Sequence, residues 1–109
     1  MANAFEATRD LIVRAPDLEA AKAFYGRVMG LALLSENDAL LCFEAGAIRL
    51  YVEVGEVSGP VAELLVSDLG AAKADLIAAG CVIVEEDPSI PRLYLRDPFG
   101  FVFNVGRRR

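Results

Sequence analysis

The sequence predicts an α+β fold made of two tandem βαβββ modules, and three observations carry that prediction. The stretch DLEAAKA at 17–23 returns as DLGAAKA at 68–74, and only Glu19 against Gly70 differs. Each copy follows a short strand-like run and opens on an Asp in N-cap position, Asp17 or Asp68. Each is followed by three short runs separated by turn residues. Two copies are too few for a solenoid, so two related halves are the natural reading.

Taken in order, the first half offers a strand at 9–15, a helix from Asp17 to a stop near Gly30, and strands at 31–35, 39–44 and 47–54. The second half offers a strand at 61–66, a helix from Asp68 to near Gly80, and strands at 82–85, 92–96 and 101–106. One domain of two modules is expected, at about 9–54 and 61–106, with 55–60 as linker. Helical spacing puts Leu18, Ala21, Phe24 and Tyr25 on one buried stripe, and Leu69, Ala72, Leu76 and Ile77 on the other. Asp97-Pro98-Phe99-Gly100 supplies turn chemistry before the last strand. There Phe101, Phe103 and Val105 alternate with Val102, Asn104 and Gly106, so one face is apolar and Asn104 lies on the other. Phe24, Phe101 and Phe103 are expected in the core.

Composition narrows the function. Over 109 residues, 55% are apolar and 25% charged, as in a folded globular chain. A net charge of −5 without a basic stripe argues against nucleic acid as partner. Arg107, Arg108 and Arg109 are a local exception, read as a solvated tail. No run is long and apolar enough to span a bilayer, and the N-terminus lacks a secretory pattern, so a cytoplasmic location and no membrane partner are expected. Cys42 and Cys81 have no metal-type spacing and are expected as free thiols. There is no His, which removes the commonest metal ligand and general base. A mean hydropathy of +0.40 is high for a small domain and suggests apolar surface buried between subunits.

Several strands carry one apolar and one mixed face. In the first strand Leu11, Val13 and Ala15 oppose Asp10, Ile12 and Arg14; in the fourth, Ile48, Leu50, Val52 and Val54 oppose Arg49, Tyr51 and Glu53. The apolar faces should pack on helices and leave the mixed faces for a cavity.

Three stretches, APDLEAAKAFYGRVMGL from Ala15, VSDLGAAKADLIAAG from Val66 and YLRDPFGFVFNV from Tyr94, resemble the vicinal oxygen chelate superfamily of glyoxalases, extradiol dioxygenases and bleomycin-resistance proteins. The first is similar to its P-D-L…F-Y…G-L stretch and the last to its D-P-x-G-x-x-x-E-L ending. The resemblance implies a mixed sheet curved into a cup, helices on the outer face and a ligand within. It also implies up to four metal ligands, His or Glu, on the strands. Their places fall on Asp10, on Val61, on Asn104 where Glu is usual, and on either Arg49 or Tyr51. An amide is a weak ligand, Val offers no donor and Arg repels a cation. A catalytic site of this type needs about three protein ligands, so no metal and no cofactor are expected.

The resulting expectation is a metal-free small-molecule binding protein of the sequestration, antibiotic-resistance type, acting as a homodimer. The ligand-binding candidates are Asp10, Arg14, Arg49, Tyr51, Glu53, Glu63, Tyr94 and Asn104. Phe43, Tyr51, Tyr94 and Phe99 offer aromatic faces for stacking. The alternative is a lyase, isomerase or dioxygenase-like enzyme with an atypical or absent metal site. In it Asp10, Glu53 or Glu63 acts as base and Arg14 or Arg49 holds an anionic substrate.

Overall fold

Two four-stranded arrangements, each with its own helix and its own core, organise the computed structural model, which describes residues 4–108. The chain divides into two compact units. One is Arg9–Val61; the other joins the chain from Ala62 onward to the N-terminal residues up to Thr8.

The first module contains β1 (Glu6–Ala15), α1 (Leu18–Lys22), β2 (Ala32–Glu36), β3 (Leu40–Glu44) and β4 (Arg49–Val54). Its strand order is β2-β3-β4-β1, with β1 and β4 parallel and the other pairs antiparallel. The Asp17 carboxylate accepts the Ala20 N–H at 3.2 Å and starts the helix as expected of an N-cap. The helix does not continue as a single α-helix. Residues Ala23–Val28 form a π-helical turn, in which the Met29 N–H reaches back to the Phe24 carbonyl at 3.0 Å. The wider turn breaks the 3.6-residue period. Tyr25 stays on the core, 5.7 Å from the Phe43 ring, while Phe24 turns outward and is 49% exposed. Phe24 is therefore not the core residue that spacing suggests. The core beneath the helix is Ala21, Leu41, Phe43, Leu50 and Val52, with Leu18, Val13 and Ala15 packed against it. Apolar burial of these alternate positions fixes the strand faces.

The second module contains β5 (Ser58–Val66), α2 (Leu69–Ala78), β6 (Val82–Asp87), β7 (Arg92–Arg96) and β8 (Val102–Arg107), in the order β5-β8-β7-β6. Ser58, Gly59 and Pro60, expected as linker, already belong to β5. Asp68 caps α2 through the Ala71 N–H at 3.0 Å. Val66, Ala72, Leu95, Phe103 and Val105 form the core, and Leu69 and Leu76 pack against it. Ile77 falls off this stripe and is exposed. Phe101 is exposed too, contrary to expectation, because it sits just before β8 and outside the strand's pleat. Asp97 builds the turn there: its carboxylate accepts the N–H groups of Phe99 and Phe101 at 2.8 and 2.9 Å.

The basic C-terminus is exposed to solvent over its described part, as expected, but it is tied down rather than a loose tail. Arg107 pairs with Val66 as the last residue of β8. Arg108 donates from its backbone to the Val66 carbonyl and from its guanidinium to the Ala4 carbonyl. Arg109 lies outside the described residues.

The internal repeat extends into strand detail. β2 shifts register between Leu33 and Ser35, and β6 does so between Ile83 and Glu85. A bulge at one position in both edge strands re-aims the following side chain toward the mixed face.

Candidate functional site

The eight candidate residues fall into two groups, one in each module, and strand register orders them. In the first module β1 and β4 run parallel with Asp10 opposite Arg49, Ile12 opposite Tyr51, and Arg14 opposite Glu53. Period-two alternation puts all six on one face. Two ion pairs result. The Arg49 Nε donates to Asp10 Oδ1 at 2.9 Å, and the Arg14 Nε donates to Glu53 Oε1 at 2.8 Å. The polarity reverses between them, because β1 carries the acid of one pair and the base of the other.

Between the pairs lies Tyr51, opposite Cys42 on β3. Burial first, then the Cys42 side chain, then the nearby Asp10 charge push the Tyr51 phenol above its ordinary value, and Arg49 opposes this. Asp10 in turn raises Arg49, so the guanidinium stays charged at any working pH. A phenol whose folded value is raised contributes stability that is complete below its unfolded value of 10.0 and is lost as pH rises through the folded value. Tyr51→Phe should therefore remove a phenolate absorbance change that develops above pH 10.0 in the parent. It should also flatten the alkaline fall in melting temperature. An absorbance change lost below that pH would contradict the assignment.

In the second module the register aligns Glu85, Tyr94, Asn104 and Glu63 across β6, β7, β8 and β5. Asn104 is 8% exposed, and its Oδ1 accepts the Leu93 backbone N–H at 2.9 Å. The amide ties β8 to β7. Tyr94 is buried, with the Arg92 guanidinium 5.0 Å from its ring centroid. Arg92 also donates to Glu85 at 2.9 Å.

The repeat relates the two rows. Ser35, Cys42, Tyr51 and Ile12 stand in the first module where Glu85, Tyr94, Asn104 and Glu63 stand in the second. Tyr51, rather than Arg49, thus matches Asn104 by register, while Arg49 is the residue facing Asp10. Sequence reasoning misses Cys42 and Glu85 as members of these rows, and Arg92 beside them. The signal for Glu85 is the bulge, which no spacing rule locates. For Cys42 it is the pairing with Tyr51 across a hairpin.

Of the stacking candidates, Phe43 is fully buried in the core and Phe99 is 94% exposed on the Asp97 turn. A cavity of ≈ 760 Å³ lies between the start of α1 and the β2–β3 turn, lined by Asp17, Glu19, Glu36 and Asp38. A smaller one of ≈ 260 Å³ lies beside the π-helical turn, over Gly26 and Phe43. None of the eight candidates lines either one.

A divalent metal of the resembled family needs several oxygen or nitrogen donors aimed at one point. Asp10 Oδ1 is committed to a guanidinium, and Asn104 Oδ1 to a backbone N–H. Val61 is a buried hydrocarbon. Among the described residues no group of three or more His, Cys, Asp or Glu is arranged to hold a metal ion. These side chains do not fit that metal.

No protein-family model and no curated protein matches the chain. Solved structures do. The chain is similar to the Mn(II)-bound glyoxalase from Novosphingobium aromaticivorans, with a TM-score of 0.68 and 23% identity, over 97% of this chain and 40% of that one. It is similar to a hypothetical protein from Bacillus halodurans C-125, with a TM-score of 0.70 and 12% identity, over 96% and 95% of the two chains. A homoprotocatechuate 2,3-dioxygenase from Brevibacterium fuscum gives a TM-score of 0.70 and 18% identity, over 95% of this chain and 37% of that one. The chain thus spans well under half the length of the glyoxalase and the dioxygenase. The fold is the one shared with these solved structures, α+β with mixed strand pairing.

Proposed function

We propose that this chain, with its vicinal oxygen chelate fold, is a metal-free small-molecule binding protein that sequesters its ligand on the mixed strand faces. The observation that carries the reading is that bonds within the protein stand twice in place of metal ligation. Asp10 is held by Arg49, and Asn104 holds the Leu93 N–H. Each stands where the resembled family places a ligand, and each has an oxygen engaged inside the protein. A fold is no guide to activity by itself, since function lives in the site. Here the site offers fixed hydrogen-bond donors and an aromatic ring instead of a Lewis acid.

The enzyme alternative needs a base. Asp10 and Glu53 each have a carboxylate oxygen engaged by a guanidinium, at 2.9 and 2.8 Å, so those oxygens face a partner inside the protein rather than a substrate proton. Exposed apolar side chains, Phe24, Val28, Met29 and Leu34, are in keeping with a homodimer. Among the described residues no helix is long and apolar enough to cross a membrane.

The test is a small-molecule screen by melting temperature in chelator-treated buffer, with hits followed by product analysis. Saturable stabilisation without turnover is expected. Product formation in metal-free buffer would instead establish the enzyme reading.

A further inference from the structure

We propose that Arg49 anchors an organic monocarboxylate whose flat or apolar body lies along Tyr51 and Ile12 on the first module's mixed face. The proposal names the ligand class and rests on the binding function proposed above.

Arg49 is held at one end. Its Nε donates to Asp10 at 2.9 Å, and the side chain is 38% exposed against 19% for Asp10. The hydrogen bond to Asp10 runs through Nε, not through the terminal Nη nitrogens. A guanidinium tethered through Nε is pre-oriented, and its outer Nη–Nη edge remains a two-pronged donor. That edge matches the two oxygens of a carboxylate. An untethered surface Arg would lose far more side-chain freedom on binding.

Charge selects among anions. Asp10, Arg49, Arg14 and Glu53 are paired two by two, so their formal charges cancel. One carboxylate then leaves the face with a single negative charge. A phosphate dianion would add a second beside Asp10 and Glu53, and like charges at short range oppose binding.

Register sets the body of the ligand. Tyr51 and Ile12 are directly opposite one another, one two-residue step along the strands from Arg49 and Asp10. That step is about 6.6 Å at the usual rise of a strand. An aromatic ring or short apolar chain attached to the carboxylate would reach across it and stack on the Tyr51 ring. The Arg14–Glu53 pair closes the far end with hydrogen-bonding groups.

The experiment uses three probes of one shape: benzoate, the neutral benzamide and the dianion phenyl phosphate. Calorimetry on the intact chain should give benzoate the tightest binding, by about tenfold, as expected for a charge-assisted bidentate contact. Arg49→Met should reduce benzoate to the level of benzamide, and Arg49→Lys should fall between, since ammonium keeps the charge but not the fork. The Lys variant still decides the matter if the Met variant fails to fold. Benzoate binding unchanged in the Met variant would overturn the Arg49 anchor while leaving the binding function standing. Absence of benzoate binding at millimolar concentration would overturn the anchor as well. The binding function is judged separately, by the wider melting screen.

Discussion

Gly59→Ala is expected to be the most damaging single-methyl change in the unit Arg9–Val61. A Cβ built on Gly59 would lie 2.7 Å from the Ile12 carbonyl oxygen and 3.1 Å from the Val13 Cα. Both are backbone atoms of β1, so no side chain can swing aside. The residue also has φ +97, a region where an L side chain is strained. Left-handed strain and overpacking together should cost about 2–4 kcal/mol. Gly46→Ala separates the two contributions. Gly46 has φ +85 but nothing within 4 Å of the added methyl, so only strain remains there, about 1–2 kcal/mol. Equilibrium urea denaturation of the two variants should rank them in that order. Equal losses would mean that β1 yields easily at Ile12. The consequence for function is direct, because the displaced strand carries Asp10, Ile12 and Arg14.

Asn104→Leu should destabilise the second module although leucine fills nearly the same volume. The amide is 8% exposed, and its oxygen is the acceptor for the Leu93 N–H. Leucine would leave that donor unpaired in a buried strand, at a cost of about 1–3 kcal/mol. Amide hydrogen exchange supplies a local readout: the Leu93 N–H should exchange faster relative to Leu95, which lies in the same strand and pairs with Phe103. Unchanged stability and unchanged exchange at Leu93 would show that the side-chain bond contributes nothing.

These two positions illustrate what the sequence reveals and what it does not. The Asp17 and Asp68 caps, the alternate apolar positions of β4 and β8 and the Asp97 turn depend on local chemistry, and the repeat makes both modules readable. Spacing misplaces Phe24 because a π-helical turn shifts the face by one residue, and a 3.6-residue period has no room for that. The tethering of Arg107 and Arg108 is not legible because their partners, Val66 and Ala4, are remote in sequence. The same limit applies to the site. Alternation names both Asp10 and Arg49, but their pairing depends on the parallel register of β1 with β4. The equivalence of Tyr51 with Asn104 also emerges only from register, since Tyr51 pairs with Ile12 and Asn104 with Glu63, positions that the repeat relates. Register is a tertiary property, set by how both strands bury their apolar faces.

Metal affinity is the most direct test of the binding function proposed here. The chain, purified without added metal, would be titrated with Mn²⁺, Zn²⁺, Ni²⁺ and Fe²⁺ while melting temperature and bound metal are followed. With Asp10 held by Arg49 and Asn104 bonded to Leu93, no stoichiometric metal and no saturable shift are expected. One equivalent of bound metal with a saturable rise in melting temperature would contradict the reading and place a metal-dependent enzyme first.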